Sequence, residues 1–549
     1  MTVVSLRATS IATIRGGEFD VLVVGGGING AVSAAALAGR GARVCIVDRG
    51  DFAGFTSQES SNLVWGGFKY LENYEFPLVL GLCRSRNRLM KAYPSNIREV
   101  PYFAALDRSA PYAPWFAGLG ALAYWAIGMF ATKPPRVYGT AATKRAEPVI
   151  DTGTVRGSIE YRDAVLTEND SRFVFSFVRS AIEAGATAAN YVELVGAERA
   201  SGRWQVRLRD TDSGDEFTTS ARVVVNATGP FVDVFNREHG IPSGHRLVFS
   251  KGVHLIVRRL TTRRHDRVLA FFDDTGRLFY VIPMGERSVI GTTDTRVDDP
   301  RTGVTADDRE FLLEQINKRL DLAEPLTGAD IIAERSGARP LVVRADSGSV
   351  DDADWTSLSR KHAIELDTER GVVTVFGGKL TDCLNVGREV GRAVARLGVP
   401  LHRDRRDWYG EPVAATRADF VAQAERLGVD ALASGGDPAP LSARLWRRHG
   451  VRAFGILEAI RVDPRMGEEV LAGSGYVRAE LHEIARTEMV VKLDDFTRRR
   501  SRIDLVDPDL ARRDLAGLRS LAEILFGDDA ERRLTDYLAG APHAAARER

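Results

Sequence analysis

The stretch FDVLVVGGGINGAVSAAALAGRGARVCIVD, residues 19–48, predicts the fold of the N-terminal part of the chain. It opens with an apolar run of the length typical of a buried parallel strand. Three glycines spaced G-x-G-x-x-G follow, then alanine-rich sequence of helical length, then a second apolar run that ends in Asp48. This order of elements predicts a β-α-β unit that binds a dinucleotide. The unit alone does not distinguish FAD from NAD.

The glycines of this unit have different expected tasks. Gly25 permits the tight turn, Gly27 lets backbone approach a pyrophosphate, and Gly30 lets the helix pack closely on the strand. The helix that starts at Ile28 offers unpaired N–H groups to the phosphates. Asp48 is 18 residues beyond Gly30, which suits an acceptor for ribose hydroxyls.

Length and composition are typical of a soluble globular protein with two or three domains. The chain has 549 residues, 44% hydrophobic and 27% charged, with a formal net charge of +1. A nearly neutral chain has no overall basic field, so we expect no nucleic-acid partner. Three cysteines without a C-x-x-C pair predict neither disulfides nor a metal site and favour the cytoplasm.

One segment, residues 109–132, contains no charged residue and reads SAPYAPWFAGLGALAYWAIGMFAT. Its helical part, Trp115 to Ala131, is close to the shortest length that spans a bilayer, and its aromatic residues suit a membrane interface. Three interpretations are open: contact with a membrane surface, burial inside the protein, or a membrane span. Surface contact would place the protein on the inner face of the cytoplasmic membrane.

Three later stretches have the composition of further cofactor contacts. Small polar side chains are concentrated between Thr56 and Asn62, soon after Asp48. A predicted strand ends in NATGP (226–230), and another ends in GGK (377–379) at the start of a helix. Strands that end in small residues and glycine let backbone approach a ligand closely.

Beyond about residue 400 the chain is rich in Arg, Ala and Leu with helical spacing. Glu480 to Arg500 predicts one long amphipathic helix with a basic end. Its last three residues, RRR (498–500), either contact acidic lipid or pair with helix-end carbonyls and acidic neighbours.

Seven motifs follow one another in a fixed order: DVLVVGGGINGA (20–31), SSNLVWGGFKYLE (60–72), NATGPFVD (226–233), SKGVHLIV (250–257), FYVIPMGERSVIGTTDT (279–295), SGARPLV (336–342) and VFGGKLTDC (375–383). In this order the sequence resembles the flavin-dependent glycerol-3-phosphate dehydrogenases over about residues 18–395, and more weakly beyond. The resemblance implies an α/β fold of the D-amino-acid oxidase type: a Rossmann-like FAD-binding domain, an antiparallel-sheet cap domain and an all-helical C-terminal domain.

The resemblance also implies a reaction and partners. Glycerol 3-phosphate would give a hydride from C2 to FAD, forming dihydroxyacetone phosphate, and the electrons would pass to a membrane quinone. A homodimer is compatible with the sequence, which does not give the oligomeric state.

The expected domain ranges are an N-terminal extension at 1–18, a discontinuous FAD-binding domain at 19–90, 155–240 and 365–400, a substrate or cap domain at 91–154 and 241–364, and a helical C-terminal domain at 401–540.

Positions that match the family motifs provide the candidate site residues. The catalytic candidates are Tyr70, His254, Thr293, Arg339 and Lys379. The substrate-binding candidates are Lys69, Thr292, Arg339 and Arg360, since arginine presents a planar fork to a phosphate. The FAD-binding candidates are Gly25, Gly27, Ile28, Asn29, Gly30, Asp48, Thr56, Ser57, Ser60, Ser61, Asn62, Val192, Ala227, Thr228, Gly229, Gly337, Arg339, Gly378, Lys379, Leu380 and Thr381.

Two departures from the family pattern lie in the loop after the first unit. Where the family reads L-I-H-G-G-L-R-Y, this chain has Trp65 and Lys69 in place of the histidine and the arginine. Trp65 cannot bond covalently to flavin, so we expect non-covalent FAD. Lys69 keeps a charge but loses the bidentate fork. The alternatives are therefore another polyol phosphate or hydroxy acid as substrate, oxygen as acceptor, or a non-catalytic flavin-binding protein.

Overall fold

The computed structural model describes residues 5–108, 110–261, 263–346, 361–402, 408–432 and 438–540. Within these ranges the strands β1 to β18 are, in chain order, Glu18–Val24, Val44–Val47, Leu63–Val64, Ile97–Leu106, Arg136–Gly139, Gly157–Leu166, Thr187–Ala189, Val192–Ala200, Arg203–Asp210, Glu216–Asn226, His245–Arg258, Val268–Phe272, Leu278–Met284, Arg287–Gly291, Thr295–Val297, Ala333–Arg344, Ala363–Asp367 and Val372–Phe376.

The helices α1 to α17 of the same ranges are Leu6–Ile14, Ile28–Ala38, Phe76–Ala92, Pro114–Ile127, Thr140–Ala146, Asp170–Glu183, Val232–Glu238, Ala306–Asn317, Cys383–Arg396, Ala414–Leu427, Leu441–His449, Ala453–Val462, Arg478–Thr487, Ile503–Val506, Leu510–Arg513, Leu515–Phe526 and Ala530–Gly540.

The first sheet has a parallel centre in the order β18-β10-β1-β2-β7, with β17 antiparallel at one edge. Helices α2, α6 and α9 share a buried core with one face of its central strands. The meander of β8, β9 and β10, together with α1 and α7, covers the other face. Because both faces are buried, the central strands are apolar at almost every position. The carboxyl ends of β1, β10 and β18 lie side by side, so the three glycine turns meet at one edge.

The second sheet forms the cap and runs β15-β11-β14-β13-β12-β4-β6-β3, with β16 paired to β11 and β5 to β6. Its pairs are antiparallel except for β4 and β12, which run parallel. Strand β6, Gly157–Leu166, belongs to this sheet, although residues 155–240 were predicted in the FAD-binding domain. The pairing of β16 along twelve residues of β11 fixes the register of Arg339 opposite Ser250.

The predicted helix from Glu480 to Arg500 is wrong as a single element. Helix α13 ends at Thr487, and Met489 has a left-handed φ of +50° that ends the helical path. A separate π-helical turn, Asp495–Arg500, follows it. In that turn Arg499 and Arg500 are buried against acidic side chains, so the lipid interpretation of these two arginines is wrong.

Helix α4 lies on the cap with one face covered and one face in solvent. Ala121 and Tyr124 are buried, whereas Trp115, Phe116 and Leu119 are 67%, 50% and 56% exposed. Among the helices of the described ranges, none combines the length and apolar character that crossing a bilayer requires. The interpretations of a membrane span and of a helix enclosed in the protein are therefore wrong.

A candidate flavin site and active site

The turn after β1 has the shape that a pyrophosphate requires. Gly25 has a φ of +100°, and a Cβ atom there would lie 2.5 Å from the carbonyl oxygen of Ala227. A Cβ atom on Gly30 would lie 1.8 Å from the carbonyl oxygen of Gly25, so helix and turn touch directly. A Cβ atom on Gly27 would lie 3.2 Å from Ser57 Oγ, and this oxygen accepts a hydrogen bond of 3.0 Å from the Ile28 N–H. The N-terminus of α2 thus faces a small polar loop.

Asp48 is fixed at the end of β2 by backbone donors. Its two carboxylate oxygens accept hydrogen bonds of 2.6 Å from the Gly26 N–H and 2.9 Å from the Gly50 N–H. Burial raises the pKa of Asp48 to about 6, against the lowering effect of these two bonds. The Val192 N–H donates to the Asp48 carbonyl oxygen at 2.7 Å, which brings these two predicted residues together.

Residues 56–62, which we call the cofactor loop, run from the N-terminus of α2 to the cap. The Thr56 hydroxyl donates to the Ala338 carbonyl oxygen of β16 at 3.3 Å. The Ser60 N–H donates to Asp170 at the start of α6 at 2.8 Å, and Ser60 Oγ accepts from the Asn62 N–H at 3.1 Å. Asn62 has a left-handed φ of +58°, and Ser61 is half-buried beside it.

The other two glycine turns complete the edge of the first sheet. Thr228 donates through its hydroxyl to Asn226 at 2.7 Å, just before Gly229 with a φ of +61°. The carbonyl oxygen of Gly377 accepts a hydrogen bond of 2.7 Å from Asn29 Nδ2. The amide oxygen of Asn29 is buried and has no hydrogen-bond partner in the described chain.

This unsatisfied oxygen is an indication of a ligand, because buried polar groups nearly always have partners. A Cβ atom on Gly378, which has a φ of +108°, would lie 3.3 Å from it. A cofactor rich in hydroxyl groups would supply the missing donor at Asn29 Oδ1. The glycines and Asn29 thus fit FAD.

Arg339, Thr292 and Thr293 form one cluster on the cap sheet. Arg339 Nη2 donates to the Thr292 hydroxyl at 2.5 Å, and Nη1 donates to the Thr293 carbonyl oxygen at 3.3 Å. Nη1 also lies 3.5 Å from the carboxylate of Asp294. The Val253 N–H donates to Thr293 Oγ1 at 3.0 Å, which leaves the hydroxyl hydrogen for another acceptor.

His254 is placed next to this cluster on β11. It is 3% exposed, and neither ring nitrogen has a hydrogen-bond partner among the described residues. Burial lowers the pKa of His254 well below its usual value, and the positive charges of Arg335 and Arg339 lower it further. The imidazole is therefore neutral at pH 7, the form in which one ring nitrogen keeps a free lone pair.

Lys379 and Tyr70 meet on the opposite side, where the first sheet faces the cap. Lys379 Nζ donates to the Tyr70 hydroxyl at 2.5 Å and lies 4.1 Å from the centre of its ring. The ring centres of Trp65 and Tyr70 are 5.6 Å apart, and the backbone N–H of Trp65 donates to Thr381 Oγ1 at 3.1 Å. Leu380 and Thr381 lie in one 3-10 turn. Lys69 shares the turn of Tyr70 and acts electrostatically on Glu72.

One predicted residue, Arg360, lies outside the described residues. Two buried groups that touch the site were not predicted. Arg335 donates through Nη2 to the Gln58 carbonyl oxygen at 2.6 Å and to Asp170 at 2.7 Å. Asp163 accepts from the Gly66 N–H at 3.1 Å and from Arg86 at 3.0 Å, under the loop that carries Trp65. Both strands carry several other polar and charged residues, so the sequence pattern did not single out Arg335 or Asp163.

Comparison with known proteins relates this geometry to a family. Residues 20–403 match the family described as FAD dependent oxidoreductase, and residues 418–533 match the C-terminal domain of alpha-glycerophosphate oxidase. The aerobic glycerol-3-phosphate dehydrogenase of Escherichia coli is 30% identical over 502 residues, which cover 88% of this chain and 93% of that protein. The chain belongs to the flavin-dependent glycerol-3-phosphate dehydrogenase family.

Two further proteins are similar to this chain, one in sequence and one in fold. The D-erythritol 1-phosphate dehydrogenase of Brucella abortus is 33% identical over 372 residues, which cover 66% of this chain and 70% of that protein. The glycerol-3-phosphate dehydrogenase of Bacillus halodurans, solved in complex with FAD, superposes with a TM-score of 0.75 at 22% identity and covers 98% of both chains. The predicted family, fold class and FAD cofactor are confirmed.

Proposed function

We propose that the protein oxidises sn-glycerol 3-phosphate to dihydroxyacetone phosphate. The observation that carries the proposal is the state of His254, a buried neutral imidazole beside the cation of Arg339 whose two nitrogens have no hydrogen-bond partner among the described residues. Oxidation of a secondary alcohol requires a group that takes the hydroxyl proton, and a neutral imidazole does this at pH 7. FAD, when bound, accepts the hydride from C2 of the substrate.

Two cations flank the proposed reaction centre and have separate tasks. Arg339 binds the substrate phosphate, since its guanidinium is held in place by Thr292 and by the Thr293 carbonyl oxygen. Lys379, oriented by the hydroxyl of Tyr70, stabilises negative charge on the substrate oxygen as the proton leaves. Thr293 offers its hydroxyl hydrogen to the same substrate.

For the second half of the reaction we propose a membrane quinone as electron acceptor. The exposed face of α4, with Trp115, Phe116 and Leu119, would contact the lipid surface from which the quinone is taken. The E. coli relative is named an aerobic glycerol-3-phosphate dehydrogenase, which agrees with oxidation linked to respiration. Flotation with lipid vesicles, and reoxidation of the reduced flavin by a soluble quinone analogue compared with oxygen, test this part. Faster reoxidation by oxygen would make the protein an oxidase.

A larger polyol phosphate is a second candidate substrate, because of two residues near the flavin. Trp65 and Lys69 replace the histidine and arginine of the family pattern, and Trp65 packs on Tyr70 in the site. The similar protein from Brucella abortus is named a D-erythritol 1-phosphate dehydrogenase. If these two side chains select the substrate, Trp65→His together with Lys69→Arg should shift the preference towards sn-glycerol 3-phosphate.

One experiment tests the main proposal and separates it from its alternatives. The oxidised protein is mixed anaerobically with sn-glycerol 3-phosphate, D-erythritol 1-phosphate or glycerol, and the loss of the flavin absorbance is followed. Rapid loss with sn-glycerol 3-phosphate and slow loss with glycerol is the expected result. A flavin that stays oxidised with both phosphates would leave the non-catalytic alternative. Release of all flavin by acid precipitation would show that FAD is non-covalent, as Trp65 predicts.

A further inference from the structure

The π-helical turn Asp495–Arg500 of the C-terminal domain contacts the cofactor loop directly. Arg498 Nη2 donates to Glu59 Oε1 at 2.9 Å and to the Gln58 carbonyl oxygen at 3.4 Å. Arg499 Nη1 donates to the Gln58 side-chain oxygen at 3.3 Å. The C-terminal domain therefore reaches the middle of the loop that runs past the N-terminus of α2.

The same loop is held from its other side by the cap. Arg335 Nη2 donates to the Gln58 carbonyl oxygen at 2.6 Å. This oxygen therefore accepts hydrogen bonds from Arg335 of the cap and from Arg498 of the C-terminal domain. A Cβ atom on Gly337 would lie 2.7 Å from Glu59 Cβ, which shows that β16 packs directly against the loop. The loop is thus fixed between the cap and the C-terminal domain.

A buried ion pair anchors the turn next to the loop. Arg499 Nε and Arg500 Nη1 each lie 2.8 Å from Asp51 Oδ2, three residues after the ribose-binding candidate Asp48. Burial alone would raise the pKa of Asp51, but Arg500 and Arg499 lower it below its usual range. Buried charges of this kind persist only when their partners are held in place.

From these contacts we propose that the C-terminal domain keeps FAD bound, with Arg498 as a positioning residue for the cofactor loop. Ser57 in that loop accepts the hydrogen bond of the Ile28 N–H at the candidate pyrophosphate site, so movement of the loop disturbs the phosphate contacts. By linkage, FAD binding in turn favours docking of the π-helical turn. The proposal depends on the family's cofactor and not on the identity of the substrate.

The test measures the rate of FAD release from purified holoenzyme, followed by the rise of flavin fluorescence after dilution. Arg498→Gln should release FAD about tenfold faster, because one charge-assisted hydrogen bond is lost. Arg498→Lys, which keeps the charge near Glu59, should lie between that variant and the wild type. Hydrogen exchange in Arg498→Gln should increase at residues 56–62.

Arg533 provides a matched control, since it joins the C-terminal domain to the turn between β9 and β10 instead of to the cofactor loop. Its guanidinium donates to both carboxylate oxygens of Asp212, at 2.8 and 2.6 Å, and it is 7% exposed. Arg533→Gln should lower the denaturation temperature and leave FAD release unchanged. Equal acceleration in both variants, or none in Arg498→Gln, would overturn the proposal. If Arg498→Gln does not fold, Glu59→Gln removes the same ion pair from the loop side and should give the same faster release.

Discussion

Replacement of His254 by glutamine tests the proposed proton acceptor most directly. Glutamine is polar and similar in size, but it cannot take a proton from a hydroxyl group. His254 has no hydrogen-bond partner that the substitution would leave unsatisfied within the described chain. Its loss should therefore affect chemistry much more than folding or FAD binding.

The expected loss is a factor of about 10² to 10⁴ in the rate of flavin reduction, the usual contribution of a general base. This factor corresponds to about 3 to 5 kcal/mol of activation free energy. A large value within this range is expected because the imidazole is 3% exposed, so water has little access to replace it. The equilibrium affinity for the phosphate should change little, since Arg339 is retained.

The pH dependence gives an independent readout of the same residue. Burial and the neighbouring Arg335 and Arg339 lower the pKa of His254 well below its usual value, so its neutral form persists well into the acidic range. In the wild type, flavin reduction should stay constant as the pH falls to 6.5 and decline only at lower pH, when His254 becomes protonated. The glutamine variant should lack this acidic decline.

The assay is anaerobic stopped-flow measurement of flavin absorbance after mixing with sn-glycerol 3-phosphate at several pH values. His245→Gln is a suitable control, because His245 lies on the same strand but pairs with Glu365 away from the cluster. A His254→Gln variant with the wild-type reduction rate, or with an unchanged acidic decline, would refute the assignment.

Three further predictions concern cofactor binding, acid stability and membrane contact. Gly30→Ala should abolish FAD binding, measured as flavin content, because the added Cβ would collide with the backbone of Gly25. Gly81→Ala in α3 is the control: its Cβ would meet open space, and the variant should have a slightly higher denaturation temperature. Although burial opposes it, Arg172 lowers the pKa of Glu488 to about 2, so this pair stabilises the fold above pH 4.5 and progressively less as the pH falls towards 2. At pH 7 the Glu488→Gln variant should lose about 3 to 5 kcal/mol of unfolding free energy, and its denaturation temperature should be lower than that of the wild type. Its denaturation temperature should also change less with acid, and an unchanged pH profile would contradict this prediction. Trp115→Ser should weaken flotation with vesicles and leave anaerobic flavin reduction unchanged, and undiminished flotation would exclude this face as the contact.

The phosphate turn could be predicted from sequence because its determinants are close together along the chain. Gly25 and Gly30 are needed for a contact between residues five positions apart, and such a contact leaves a fixed spacing of glycines. The meeting of the three glycine turns also follows from sequence, since parallel strands present their carboxyl ends at one edge.

The pairing of distant charges could not be predicted in this way. Arg498 and Glu59 are 439 residues apart, and nothing in the spacing of either identifies the other as its partner. The end of α13 coincides with Met489, which is buried and has a left-handed φ of +50° against the helical pattern around it. The sequence also could not show which face of α4 is exposed, because an apolar composition does not reveal which side of a helix other elements cover.

The order of strands in the first sheet has a consequence for biosynthesis. Val24 of β1 pairs with Asn226 of β10, and β10 pairs in turn with β18, which ends at Phe376. At 5 to 20 residues per second, a ribosome needs roughly 20 to 70 s between releasing the first and the last of these strands. Until β10 and β18 have been made, β1 and β2 can pair with each other, but the sheet and its flavin site are incomplete. The flavin site is therefore complete only after β18 has been made, and a shortage of flavin in the cell should increase the aggregation of newly made chains.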